Sequence, residues 1–329
     1  MAADAPPETL LVTGAAGFIG SSVSLRLLAG GRRVVGLDDL DDYYDPAIKR
    51  ANVADLGAHA GFTFVAGDIR DAALVARLLA EHGVDAVLHL AARAGVRPSI
   101  ADPALYADVN VRGTTVLLEA ARRAGVSTFV QASSSSVYGS RDDPPFREDD
   151  PPAPAISPYA ASKQCAEAMG RCYATLHGMD VTSLRFFNAY GPRQRPDMAI
   201  HKFTRLMRAG RPLPFYGDGS MRRDHTFIDD IVDGVVRAVD RCAGSGHRVY
   251  NLGNSATVSL TDLVAALERC WDVEAVLERL PDQPGDVPMT CADLTRSRRE
   301  LGFEPTTDLA DGLERFKTWF LRQESRTVS

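Results

Sequence analysis

The sequence predicts an α/β protein, a doubly wound parallel sheet with a smaller α/β lobe beside it. Two observations carry this. In the first half, short apolar runs bounded by Gly, Asp or Ser alternate with amphipathic stretches of helical length, the pattern of right-handed βαβ units. After Phe187 that rhythm gives way to a stretch rich in Pro, Gly and Arg.

The expected strands are Thr9–Thr13, Arg33–Leu37, Thr63–Ala66, Ala86–Leu90 and Thr128–Ala132. The expected helices between them include Ile19–Ala29, Ala72–Glu81 and Val109–Ala124. Residues Asn188–Asp224 read as loops around one helix, Ala199–Arg208, and Thr226–Asp240 reads as helical again. Leu260–Arg269 and Ala310–Phe320 add two amphipathic helices. The expected division is a nucleotide-binding lobe over 1–187, with 226–253 returning to it, and a second lobe over 188–329.

Composition excludes some functions. Of 329 residues, 45% are hydrophobic and 24% charged, with a net charge of -6. That balance leaves no footprint for nucleic acid, and no apolar run approaches a membrane span. Met1–Glu8 lacks the basic and apolar regions of a signal peptide, so a cytoplasmic location is expected. The five cysteines contain no CxxC pair. They are expected to be free and mostly buried in a reducing compartment. Cys165 and Cys172 lie seven apart and so share a helix face, read here as small core residues.

The first strand runs into Thr13-Gly14-Ala15-Ala16-Gly17-Phe18-Ile19-Gly20. Gly14 permits a tight turn, Gly17 lets the backbone approach a pyrophosphate, and Gly20 allows close helix–sheet packing; the helix N-terminus then offers unpaired N–H groups to phosphate. Asp38 ends the second strand, where a carboxylate accepts from adenine ribose hydroxyls and repels a 2′-phosphate. The site is therefore expected to be of Rossmann type and to take NAD rather than NADP. Asp68, after the third strand, is within reach of the adenine amino group.

Tyr159-Ala160-Ala161-Ser162-Lys163 puts a phenol and an ammonium one turn apart on one helix face. A free phenol has a pKa near 10. A neighbouring cation favours phenolate, so Tyr159 is expected to act as a base. Lys163 is expected to hold the nicotinamide ribose as well. The run Ser133-Ser134-Ser135-Ser136 follows an apolar strand at the carboxyl edge of the sheet, where such sheets bind ligands.

These motifs, TGAAGFIG, Asp38, HLAA at His89–Ala92, SSSSVYG and YAASK, resemble the extended short-chain dehydrogenase/reductase family over residues 9 to about 320. The resemblance implies Ser134, Tyr159 and Lys163 as the catalytic group, and no catalytic or metal role for His89. It extends cofactor contact to Phe18, Ile19, Ile69, Leu90, Ala91, Ala92 and Asn110, and implies homodimers joined through a four-helix bundle. Within the family, Asp41–Asp45, Ala94-Gly95-Val96-Arg97 and Ser183–Ala199 look like the UDP-glucuronate 4-epimerases. Asn188 departs from the threonine common there and matches neutral-sugar epimerases, so a UDP-glucose/galactose 4-epimerase stays as the alternative. Dehydratases carry Asp-Glu where Ser135 and Ser136 stand, and decarboxylases a glutamate in place of Ser136, which makes a UDP-glucuronate decarboxylase the weaker alternative. The substrate contacts implied are Arg97, Ser134, Ser135, Ser136, Asn188, Arg195, Arg223 and Asp286, with no metal.

Overall fold

In the computed structural model, which describes residues 6–151, 153–281 and 287–328, the first strand, β1 (Thr9–Thr13), is buried at every position. Leu10 and Val12 join one core cluster and Leu11 the other, so the strand is apolar on both faces and belongs in the middle of a covered sheet. α1 (Phe18–Ala29), β2 (Arg33–Asp38), α2 (Pro46–Gly57) and β3 (Phe62–Ala66) follow. The carboxylate of Asp45 caps α2, and Pro46 takes its first position. α3 (Ala72–Glu81), capped by Asp71, leads to β4 (Ala86–His89).

Two short helices, α4 (Val96–Ala101) and α5 (Pro103–Tyr106), then run through a π turn at Ala107–Arg112 into α6 (Gly113–Ala124). A left-handed Gly125 ends α6. β5 (Thr128–Ser134) breaks into a 3₁₀ turn at Ser135–Tyr138. α7 (Pro158–His177) begins on a Ser157 cap and returns the chain to β6 (Asp180–Phe186).

From there the chain leaves the sheet through β7 (Asn188–Tyr190), α8 (Ala199–Arg208), β8 (Leu213–Tyr216) and β9 (Arg222–Phe227). It comes back as α9 (Ile228–Asp240), which packs on α1, and β10 (His247–Leu252), which pairs with β6 in parallel. β11 (Thr257–Ser259), α10 (Leu260–Trp271), β12 (Leu277–Leu280) and α11 (Leu309–Val328) complete the order. The main sheet runs β10-β6-β5-β4-β1-β2-β3, parallel throughout, and two small sheets, β11-β9-β7 and β12-β8, stand apart from it.

The structure corrects three expectations. Residues 188–224 are not loops around one helix, because β7, β8 and the first half of β9 lie there. Thr226 belongs to β9, and the helix starts at Ile228. β9 is held by β7 and β11, partners about 35 residues away on either side, so its polar sequence gives no local sign of a strand. The cysteines are not mostly buried: Cys242 and Cys270 are, Cys291 is intermediate, and Cys165 and Cys172 are exposed. The face of α7 that meets the sheet is Ala160, Lys163, Ala166, Glu167 and Gly170, and the two thiols sit on the opposite side.

Candidate active site

β1 turns into α1 through Gly14, which has a φ of +70°, and an added Cβ there would lie 2.7 Å from the Ala91 nitrogen. At Gly20 an added Cβ would lie 2.0 Å from the Gly14 carbonyl oxygen. The first turn of α1 thus packs directly on the glycine turn, and no side chain caps it at Gly17. Its N–H groups are left to a ligand. Asp38 accepts from the Ala16 N–H at 3.0 Å and the Leu40 N–H at 2.9 Å. Burial raises its pKa, and these bonds act against that. A carboxylate offers about four acceptor sites, so acceptor capacity remains for hydroxyls. This cradle of glycines, open helix end and buried acid fits a dinucleotide.

The cradle opens into a cavity of about 410 Å³. Gly14, Gly17, Phe18, Ile19, Gly20, Asp38, Asp68, Ile69, Leu90, Ala91 and Ala92 line one end. Ser134, Ser135, Ser136, Tyr159, Lys163, Asn188 and Arg195 line the other. Asp68 is engaged by its own neighbour: it accepts from the Arg70 backbone N–H at 2.7 Å and from its guanidinium.

Ser134 Oγ hydrogen-bonds Ser136 Oγ at 3.1 Å and accepts the Ser136 N–H at 3.2 Å. Lys163 is buried and its ammonium donates to the Ala132 carbonyl at 2.9 Å. Loss of solvent pushes its pKa down to about 8, with Glu167 acting the other way. The expected depression of Tyr159 by Lys163 is not found. Desolvation pushes the phenol above its ordinary value, while a hydrogen bond with Ser134 and the charge of Arg195 act to lower it. The ring of Tyr106 meets that of Tyr159 edge-on, 6.2 Å between centroids.

Among the described residues, three expected contacts, Asn110, Arg97 and Arg223, do not line the cavity. Asn110 is buried and braces the loop after β4: it accepts the Arg93 N–H at 2.8 Å and donates to the Arg93 carbonyl and to Ser162 Oγ. Arg97 stacks over the Tyr216 ring at 4.8 Å. Arg223 donates to the Arg222 carbonyl. Asp286 lies outside the described residues. Beside Arg223, buried Asp224 collects the N–H groups of Asn254, Ser255 and Ala292, tying three segments outside the main sheet together. His89 is buried between Thr13 and Thr114, with its ring nitrogens 2.8 and 2.9 Å from their hydroxyls. That is a structural setting.

Tyr43 and Arg93 also line the cavity, although the sequence motifs that hold or flank them assign neither a contact. Tyr43 has Arg93 and Arg195 against its ring at 5.9 and 5.5 Å, and its hydroxyl donates to Asp197. Arg195 is itself held by both oxygens of Asp197 at 2.9 and 2.8 Å. Three loops, after β2, β4 and β7, therefore meet at the mouth. Their meeting depends on the sheet order, which no short window reveals.

A family model for GDP-mannose 4,6 dehydratase matches residues 11–316. UDP-glucuronate 4-epimerase 3 of Arabidopsis thaliana is 44% identical over 330 residues, which cover 95% of this chain and 76% of that protein. The crystal structure of UDP-glucuronic acid 4-epimerase from Bacillus cereus, in complex with UDP-glucuronic acid and NAD, is 35% identical with a TM-score of 0.91, covering 96% of this chain and 99% of that one. A dTDP-glucose 4,6-dehydratase from Streptomyces venezuelae is 36% identical with a TM-score of 0.90, covering 97% and 98%. A likeness that spans nearly the whole chain and reaches both epimerases and a dehydratase makes this protein a member of the extended short-chain dehydrogenase/reductase family, the NAD-dependent epimerases and dehydratases.

Proposed function

We propose that the protein is an NAD-dependent UDP-glucuronate 4-epimerase, an isomerase that interconverts UDP-glucuronate and UDP-galacturonate through a 4-keto sugar. The observation that carries this reading is the cavity floor: Ser134 and Tyr159 meet there, with Ser135 and Ser136 in the places where elimination or decarboxylation would need acids. Relatives named as UDP-glucuronate 4-epimerases at 41–44% identity support it.

The glycine turn at Gly14, Gly17 and Gly20, with Asp38, would hold NAD, which when bound would supply the hydride acceptor for C4 of the sugar and the donor back to its opposite face. Tyr159 takes the C4 hydroxyl proton and later gives it back. Ser134 holds the same oxygen and the phenol together, and Arg195 places positive charge where phenolate forms; Lys163, anchored on the Ala132 carbonyl, would grip the nicotinamide ribose. The 4-keto acid has its ketone β to the C6 carboxylate and is prone to lose carbon dioxide. Ser135, Ser136, Asn188 and Arg195 hold the carboxylate away from the angle that allows this. Each charge-assisted contact contributes about 1.5–3 kcal/mol, enough to bias a rotamer.

The test is incubation with UDP-glucuronate, resolving UDP-galacturonate from UDP-pentoses. UDP-galacturonate as the main product supports the reading, and dominant UDP-xylose or UDP-arabinose overturns it. Arg195→Ala should weaken UDP-glucuronate more than UDP-glucose. Asn188 at the cavity wall favours the one alternative, a UDP-glucose/galactose 4-epimerase. Far faster turnover of UDP-glucose would select it.

In this reading residues 1–187 and 226–253 hold the cofactor and 188–329 the nucleotide sugar. The five free cysteines suit a reducing, cytoplasmic setting. The outer face of α7, with Cys165, Cys172 and a Leu176 that is 73% exposed, suits a homodimer joined through α6 and α7. Among the described residues no helix is long and apolar enough to cross a membrane.

A further inference from the structure

Three consecutive residues at the end of β5 are each tied to one of three α7 residues spaced a helical turn apart. The Ala132 carbonyl accepts from Lys163 at 2.9 Å, and Ser133 Oγ donates to Glu167 Oε1 at 2.5 Å. Ser134 hydrogen-bonds Tyr159. Residues 159, 163 and 167 stand at i, i+4 and i+8, on one stripe of the helix. One residue further back, Gln131 Nε2 donates to the Ala166 carbonyl at 3.0 Å and to Ser183 Oγ at 2.9 Å.

Glu167 is the member of this stripe that the reaction above does not use. It is buried, and its two oxygens take Nε and Nη2 of Arg185 at 2.9 and 2.8 Å. Arg185 lies on β6 directly beside Ser133 in the sheet register, and Ser134 stands beside Phe186. The Arg185 guanidinium covers the Tyr138 ring at 4.7 Å, and the Tyr138 hydroxyl donates to Asn251 of β10 at 2.7 Å. A buried carboxylate thus joins α7, β5 and β6 at the level of the catalytic group. Simple packing needs no charge here, since burying an ion pair is roughly neutral or unfavourable against apolar residues of similar size.

We propose that Glu167 is a positioning residue for the epimerisation, fixing the register of β5 against α7 so that Ser134 and Tyr159 meet the same sugar oxygen. The proposal rests on the epimerase reading. Ser133 is the relay: it alternates with Ser134 along the strand, so a grip on Ser133 sets where Ser134 points. A shift of about 1 Å in that register is enough to cost on the order of a hundredfold in rate.

The experiment compares Glu167→Gln, Glu167→Asp and Ser133→Ala with the native enzyme, measuring kcat and KM for UDP-glucuronate, retained NAD and Tm. Glu167→Gln is expected to lower kcat about tenfold or more, with KM within about twofold and NAD retained. Glu167→Asp should restore most of the rate. Ser133→Ala should lower kcat several-fold at an unchanged Tm, and it decides the question if Glu167→Gln leaves Arg185 unpaired and does not fold. Unchanged kcat in Ser133→Ala and in any folded Glu167→Gln overturns the proposal. So does a fall in which KM, NAD content and Tm move together, since that is a general loss of structure. If the native enzyme itself does not turn over UDP-glucuronate, it is the epimerase reading that fails.

Discussion

Tyr159 sits where burial opposes the charge that the reaction asks of it, and the neighbours that favour phenolate are Ser134 and Arg195. Removing the hydroxyl should therefore abolish proton transfer without removing the grip on the nucleotide. Tyr159→Phe is expected to lose essentially all epimerisation while still binding UDP-sugar, measured by product ratio and calorimetry. Near-native turnover would end its assignment as the base. Ser134→Ala should be milder, because the base stays in place. His89 gives a prediction about pH. Burial, with the charge of Lys163 adding to it, pushes its pKa from 6.5 down to about 3. Between those values the unfolded chain binds a proton that the folded chain does not. Stability from this group is thus intact above pH 6.5 and falls as the solution is acidified, by at most about 1.4 kcal/mol per pH unit. His89→Gln should flatten the acid limb of Tm against pH, and an unchanged slope would count against it. Tyr159, Lys163 and Ser134 were legible in the sequence because each motif is a few residues long. Glu167 and Arg185 were not, because their pairing exists only once β5 lies beside β6.

At the scale of elements, the βαβ units of the first half could be read almost to the residue. β1 and α3 fall where their apolar patterns and bounding residues put them, since fully covered strands need continuous apolar runs. α2 escaped notice because its sequence, PAIKRANVADLG, carries little amphipathic pattern, and only its Asp45-Pro46 start marks it. The small sheets escaped for another reason, as β7 and β8 are short and β9 is polar, so none shows an apolar period before distant partners fix it. The glycine turn supplies the test at this scale. Gly20→Ala places a methyl carbon 2.0 Å from a backbone oxygen that cannot swing aside. The first turn of α1 must move off Gly14. Crowding of this kind costs about 1–3 kcal/mol, and Gly20→Ala is expected to purify with little NAD and a lowered Tm. Full NAD content by absorbance would show that the turn tolerates the methyl group.

For the molecule as a whole, the main sheet and the small sheets are laced together by the chain's own path. Ile228–Leu252 supplies a helix against α1 and an edge strand of the main sheet, although it comes after β7, β8 and β9 of the small sheets. Tyr138, Asn251 and the carbonyls of Phe146 and Asp293 are joined by hydrogen bonds, which bind the end of β10 to loops of both halves. Asn251→Ala should leave those buried partners unsatisfied, at about 1–3 kcal/mol, and lower Tm. An unaltered Tm would show that the junction carries no stability.

The return of β10 also bears on how the chain can be made. As it emerges from the ribosome, the nascent chain can pair β6 with β5 long before its outer partner exists, so the backbone groups on the other edge of β6 stay unpaired while about 60 more residues are synthesised. A gene split after Phe187 would leave the first product with a bare sheet edge and the second with an orphaned strand. The two pieces should therefore aggregate when made separately and recover only when made together.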